Sequence, residues 1–208
     1  LSMPFNSSTP ILYYNKSVFE KAGLDPNTAP ETWGDIETFS KKIIDSGAAP
    51  CGFTTGWQSW VQLENLSALH NVPFASRANG FGGTDAVLEF NGDLQTRHIA
   101  DMGEWQKSKI FDYGGRRSDP APKFYSGECA IYMNSSAALA GIRTNAKDFE
   151  VGVGMLPYYD DVKGAPQNSI IGGATLWVLE GHDDAEYQGV AEFFNYMSTP
   201  EVQADWHQ

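Results

Sequence analysis

Between Gly56 and Leu66 the chain reads Gly-Trp-Gln-Ser-Trp-Val-Gln-Leu-Glu-Asn-Leu, and the residue types in this stretch suit the capture of a small polar molecule. Run as a helix at about 100° per residue, it places Leu63, Leu66 and Leu69 on one side and Trp57, Val61, Glu64 and Ala68 on the other, with Trp60 between. The leucines seat such a helix on a core. Two indoles one turn apart, beside a carboxylate and two amides, are then free to stack on a ligand, because a small-molecule cleft combines rigid apolar faces with a few polar groups. The same spacing fits two core tryptophans equally well, and this window alone does not separate the two readings.

Three further segments carry groups that suit an oxyanion. Pro4 to Pro10, Pro-Phe-Asn-Ser-Ser-Thr-Pro, is a turn-rich loop of hydroxyls and an amide running into the strand-like Ile11 to Asn15, which sets Ser8 at the mouth of a strand. Cys129 to Met133 reads as a strand and Ala137 to Arg143 as a helix. The Asn134-Ser135-Ser136 between them supplies N-cap residues, and the first helical turn offers N–H groups and the positive end of the helix dipole to a carboxylate or phosphate. In Ile170 to Leu179 a strand pattern is interrupted by Gly172 and Gly173. Glycine inside a strand marks a bulge or the close approach of another body to the backbone, and a ligand is one such body. Arg116 and Arg117 are able to clamp a phosphate, but neighbouring loop arginines diverge, and a solvated loop is the expectation.

The elements that must position these groups alternate along the chain. Helices are expected over Ser17 to Ala22, over Thr32 to Gly47 with Thr32 as N-cap and Asp35 at the third position, and over Thr96 to Ile110 with Ile99, Met102 and Trp105 inward. Two more, Asp183 to Met197 and Pro200 to Trp206, close the chain. Cys51 to Thr54 and Phe149 to Leu156 read as strands, and Ala86 to Phe90 as a strand or a helix edge. Cys51 and Cys129 begin two strand-like runs and either pair across neighbouring strands or stay as buried thiols. His70, His98, His182 and His207 are scattered, and no metal or cofactor is implied.

Composition narrows the partners. A net charge of -12 presents a repulsive field to nucleic acid. No stretch approaches the roughly 18 to 20 apolar residues of a membrane-spanning helix. Phosphate-loop and dinucleotide spacings, a nucleophile elbow and a helical His-Glu-x-x-His are absent. A glycosidase needs paired carboxylates, and beside Trp60 only Glu64 offers one. The termini read as cut, with no signal peptide and a final helix interrupted.

Five runs, Pro-Phe-Asn-Ser-Ser-Thr-Pro at 4 to 10, Tyr-Tyr-Asn-Lys at 13 to 16, Ala-Gly-Leu-Asp-Pro at 22 to 26, Gly-Trp-Gln-Ser-Trp at 56 to 60 and Ala-Pro-Gln-Asn-Ser-Ile-Ile-Gly-Gly-Ala at 165 to 174, give the chain its resemblance to the periplasmic solute-binding proteins of ABC importers, and within them to those that take sn-glycerol 3-phosphate. The resemblance implies an α/β fold, one lobe of a two-lobed periplasmic-binding-protein-like architecture with a mixed sheet flanked by helices. Residues 1–180 would be the C-terminal lobe and residues 181–208 the hinge and return helices that pack on the other lobe. It implies a non-enzymatic periplasmic protein that delivers its ligand to permease subunits, with Trp57 and Trp60 stacking on the glycerol moiety. Ser8, Ser135 and the backbone at Gly173 would meet the phosphate. The family's remaining contacts, among them a tyrosine and an arginine further on, have no counterpart here, so the strongest phosphate cation is expected to be missing. An oligosaccharide ligand, a glycosidase using Glu64 and a purely structural domain are the alternatives, and the bare face of the isolated lobe is expected to favour self-association.

Overall fold

The computed structural model describes residues 2–206. Its strands are β1 (Ser2–Ser8), β2 (Pro10–Asn15), β3 (Cys51–Thr55), β4 (Cys129–Ser135), β5 (Val151–Gly154) and β6 (Gly172–Trp177). Its longer helical elements are α1 (Lys16–Lys21), α2 (Trp33–Asp45), a π turn (Trp60–Glu64) continued by α3 (Asn65–Leu69), α4 (Asp93–Lys107), α5 (Ala121–Tyr125), α6 (Leu139–Asn145), α7 (Asp184–Met197) and α8 (Pro200–Trp206). Two compact units result: Ser8–Gly172, and a smaller one formed by the residues through Ser7 together with those from Gly173 onward.

The larger unit is built on a four-stranded sheet in the order β3-β4-β2-β5. β3 and β4 are parallel, and β2 is antiparallel to both β4 and β5. β4 is buried on both faces from Cys129 to Met133, as a central strand covered on each side must be. One face carries Trp33, Ile36, Ile43, Phe53 and Trp105 from the sheet, α2 and α4, with Phe111 from the segment after α4. The other carries Tyr13, Phe124, Tyr132 and Ile142. Phe53, Ile36 and Ile43 are wholly buried, and truncating side chains of this kind to Ala costs about 2–5 kcal/mol each.

The start of α2 forms the capping box that its sequence calls for. Asp35 N–H donates to Thr32 Oγ1 at 3.0 Å and Thr32 N–H donates to Asp35 Oδ2 at 2.9 Å, satisfying two N–H groups that the first helical turn leaves without partners. The cysteines are joined: Cys51 and Cys129 face each other at the start of β3 and β4 as a disulfide.

Four expectations are corrected. Pro4 to Ser8, expected as part of a turn-rich loop, lie in strand β1, where pairing with β6 satisfies the backbone. Ile99 is 51% exposed, and the inner stripe of α4 is Gln95, His98, Met102 and Trp105; at about 100° per residue Ile99 lies about 80° from the mean direction of those four, past the edge of the buried stripe. Ala86 to Phe90 forms neither strand nor helix, since only a single bridge from Leu88 to Ala75 is made and Val87 and Leu88 are exposed. The strand expected over Phe149 to Leu156 keeps only Val151–Gly154, where it pairs with β2.

In the smaller unit β1 pairs with β6, and α7 opens on a capping box between Asp183 and Glu186. A groove beside α7 is lined by Trp177, Leu179, Val190, Phe193 and Phe194. Trp177, Leu179, Phe193 and Tyr196 are each at least half exposed. His207 lies outside the described residues.

Candidate ligand-binding site

The parallel strands β3 and β4 deliver the chain to the same edge of the sheet, the carboxyl end at which open α/β sheets gather ligand-binding groups. β3 runs into Gly56 and Trp57; β4 runs into Ser135 and Ser136. Because β2 is antiparallel, its first residue Pro10 lies opposite Ser135, and Ser8, the last residue of β1, and Thr9 arrive beside them. The junction is tied twice: Thr9 N–H donates to Ser136 Oγ at 3.1 Å, and Ser136 N–H donates to the Thr9 carbonyl at 2.7 Å.

Ser135 caps the turn after β4 by accepting Ala137 N–H on its Oγ at 3.1 Å. A hydroxyl used this way as an acceptor keeps its hydrogen for donation elsewhere. Its own N–H donates to Asn134 Oδ1 at 2.7 Å, and the Asn134 amide donates to the phenol of Tyr132. Burial pushes that phenol up to about 12, so it stays protonated.

The tryptophan stretch departs from a regular helix. Trp57 has a left-handed backbone, φ +47°, and Trp60–Glu64 is a π turn in which Asn65 N–H reaches back to the Trp60 carbonyl. A π turn spans one residue more than an α turn, so every position after it is rotated by about 100° relative to a continuous helix. Val61, expected on the side away from the core, is therefore buried with Leu66 and Leu69, together with the amides Gln62 and Asn65, while Leu63 is only partly covered. Trp57 stands 41% exposed, and Trp60 packs against the core and is only partly exposed.

Ser8, Trp60 and Gly172 share one corner. A Cβ placed on Gly172 would lie 3.0 Å from Trp60 Cζ2 and 3.2 Å from Ser8 Oγ, so the absence of a side chain there lets the backbone reach the indole edge. Gly173 begins the other unit. Its φ is +139°, and a Cβ on it would lie 2.1 Å from the Asn6 carbonyl oxygen, so the body that approaches this glycine in the structure is strand β1.

Arg117, expected in a solvated loop, is exposed there and lies beside the tryptophan stretch. Its guanidinium carbon lies 5.8 Å from the centre of the Trp57 ring. The Trp57 N–H donates to the Arg117 carbonyl at 2.9 Å, and Gln58 Nε2 donates to the Gly115 carbonyl at 2.6 Å. Arg117 is left-handed too, at φ +48°. Non-glycine residues held in that region cost about 1–3 kcal/mol each and gather at functional sites. The Arg-Arg pair was visible in the sequence, but nothing in it signals contact with a residue so far upstream.

Behind the π turn lies a buried polar chain. Gln62 donates from Nε2 to Thr55 Oγ1 at 2.9 Å, and its Oε1 meets His98 Nε2 at 3.0 Å. His98 Nδ1 is 3.0 Å from the Tyr159 hydroxyl, which donates to Asp101 at 2.7 Å. His70 Nδ1 lies 2.7 Å from the Leu66 carbonyl, and its Nε2 accepts Tyr159 N–H at 2.8 Å. Burial, reinforced by His70 and Arg97, pushes His98 down to about 3, and burial also lowers His70. Two histidines scattered in the sequence thus converge on one tyrosine.

Glu64 ends the π turn, and among the described residues no hydrogen bond or ion pair joins it to a second carboxylate. Among the described residues no group of three or more His, Cys, Asp or Glu side chains is placed to hold a metal.

Residues 1–204 match the family of bacterial extracellular solute-binding proteins. The sn-glycerol-3-phosphate-binding periplasmic protein UgpB of Yersinia pestis bv. Antiqua (strain Antiqua) is 55% identical over 208 residues, which is 100% of this chain and 47% of that protein. UgpB of Salmonella typhimurium is 54% identical over the same span, again 47% of its length. The chain thus spans about half the length of the curated relatives it matches. Among solved structures, UgpB from Mycobacterium tuberculosis in complex with glycerophosphocholine superposes with a TM-score of 0.75 at 21% identity, covering 98% of this chain and 48% of that one. A cyclic alpha-maltosyl-1,6-maltose binding protein from Arthrobacter globiformis also gives a TM-score of 0.75, at 23% identity over 99% of this chain and 50% of that one.

Proposed function

Because the chain belongs to the bacterial extracellular solute-binding proteins, we propose that it helps capture sn-glycerol 3-phosphate or a glycerophosphodiester in the periplasm for an ABC importer's permease subunits, without catalysis. The observation that carries this reading is the corner of Ser8, Trp60 and Gly172, with the hydroxyl of Ser135 one residue from the Thr9–Ser136 tie. It sets a partly exposed indole beside hydroxyl donors. The relatives that match the whole chain at 54–55% identity are named for sn-glycerol 3-phosphate, which favours a phosphorylated ligand over an oligosaccharide.

In this reading Trp57 and Trp60 stack on the glycerol carbons, while the hydroxyls of Ser8 and Ser135 and the N–H at Gly173 donate to the phosphate. Local donors are needed because the whole chain carries a net charge of -12, whose field opposes an anion. Residues 1–180 form one wall of the cleft, and residues 181–208 return toward the half that the longer relatives possess. The exposed Trp177, Leu179, Phe193 and Tyr196 support a partner surface there. An isolated chain would cover that face by self-association and would bind ligand weakly, since one wall supplies only part of the contact free energy.

Calorimetric titration of the full-length protein that carries this chain is the test. Heat of binding with sn-glycerol 3-phosphate and none with maltose supports the reading; the reverse pattern overturns it. Replacing Ser135 by Ala should weaken the phosphorylated ligand much more than any neutral sugar.

A further inference from the structure

We propose that Arg117 is an anion-recognition residue of this site, one that favours a phosphomonoester over a phosphodiester bearing a cationic head group. The proposal rests on the phosphate-ligand reading above and adds to it the cation that reading lacked.

Position is the first argument. The guanidinium sits over the exposed Trp57 ring, 5.8 Å from its centre, where the negative face of the indole attracts a cation. A guanidinium beside a ring keeps its planar N–H fork, the geometry that takes two phosphate oxygens at once. Among the described residues Arg117 makes no ion pair with a carboxylate, whereas Arg77 is paired with Asp85 and Arg97 with Asp161. Its charge is therefore not already committed to a partner.

Construction is the second. The loop that carries Arg117 is fastened to the tryptophan turn by the main-chain bond from Trp57 to Arg117 and by the Gln58 side chain bonded to the Gly115 carbonyl. Asp119 closes the loop on itself: its carboxylate accepts Arg116 N–H at 3.0 Å, and its own N–H donates to the Arg116 carbonyl at 2.9 Å. Gly56, the residue before Trp57, has no room for a side chain, because a Cβ there would lie 2.7 Å from the Arg117 carbonyl oxygen. Arg117 is thus held beside Trp57 by its main chain, whatever its side chain is doing.

Selectivity follows from the shared ring. A quaternary ammonium group is recognised by aromatic faces, and the face of Trp57 that would receive it is already occupied by a cation. A ligand with a cationic head group must displace Arg117 or lie beside a like charge. A phosphomonoester meets no such conflict and carries more negative charge for the guanidinium.

The experiment compares the full-length protein with its R117Q and R117K variants, titrated with sn-glycerol 3-phosphate and with glycerophosphocholine at low and high salt. R117Q should lower affinity for sn-glycerol 3-phosphate by about tenfold or more, flatten its salt dependence, and change affinity for glycerophosphocholine much less. R117K should recover part of the loss, because it restores the charge without the fork. An unchanged affinity for sn-glycerol 3-phosphate in R117Q, or an equal loss for both ligands, overturns the role of Arg117 while leaving the ligand reading intact. A wild-type protein that binds neither compound overturns that reading and this proposal together. Thermal melts of both variants check that the fold is kept; a variant that melts early is replaced in the comparison by the other.

Discussion

The side-chain amide of Asn65 donates to the main-chain carbonyl of Trp60 at 2.9 Å, and this bond is half of a bridge. The Oδ1 of the same carboxamide accepts Ile170 N–H at 2.9 Å. Asn65 is wholly buried, so it fastens the turn that carries Trp60 to the segment that leads into Gly172 without itself facing the site.

Replacing Asn65 by Ala should therefore weaken binding through position rather than contact. It removes the partner of the part-buried Ile170 N–H, a loss of about 0.5–1.5 kcal/mol. Urea denaturation should register that loss of stability. Calorimetry at a temperature where the variant is fully folded should show reduced affinity for sn-glycerol 3-phosphate as well. Full affinity in a folded Asn65→Ala protein would contradict the bridge.

The two glycines of the Gly172-Gly173 pair should respond differently. Gly172→Ala brings a methyl to 3.0 Å from Trp60 and 3.2 Å from Ser8, contacts that the indole and hydroxyl relieve by shifting a few tenths of an ångström. The expected result is altered tryptophan fluorescence and weaker ligand binding with a modest stability change. Gly173→Ala meets a backbone oxygen at 2.1 Å with φ at +139°, so it should disrupt the β1–β6 pairing, a loss readable as faster amide exchange across those strands.

The disulfide closes a loop of 78 residues between the first residues of β3 and β4. Constraining the unfolded chain over such a span stabilises a protein typically by about 2–4 kcal/mol. The double variant Cys51→Ala, Cys129→Ala should therefore show a lower urea midpoint and an unfolding free energy smaller by about that amount. The wild-type protein should show the same shift on full reduction.

Acid should destabilise the larger unit through its histidines. His70 accepts Tyr159 N–H on Nε2, so a proton there would face a donor; His98, pushed down to about 3 by burial and then by His70 and Arg97, is neutral in the fold. Arg97, Asp101, Tyr159 and Gln62 are the polar groups around it. Both histidines have folded pKa values below the unfolded value of about 6.5. The stabilising contribution of His98 is thus complete above about pH 6.5 and falls as pH drops from there toward 3, with a slope of up to about 1.4 kcal/mol per pH unit, and His70 acts in the same direction. His98→Gln should flatten that acid limb in pH-dependent denaturation. An acid limb unchanged in His98→Gln would remove His98 from the account.

Local chemistry made much of this molecule readable in one dimension. The Thr32–Asp35 capping box, the strand of Cys129 to Met133, the two closing helices and the hydroxyl-bearing turn at Ser135 all follow from interactions within a few residues, which propensity and capping govern. The pairing of Ser8 with Trp60 and Gly172, the seating of Arg117 on Trp57 and the meeting of His70 with His98 at Tyr159 join residues far apart in the chain, and each depends on sheet order and register. The burial of Val61 depends on an extra residue in one helical turn, held by Asn65 and Gln62 through partners that only folding brings near.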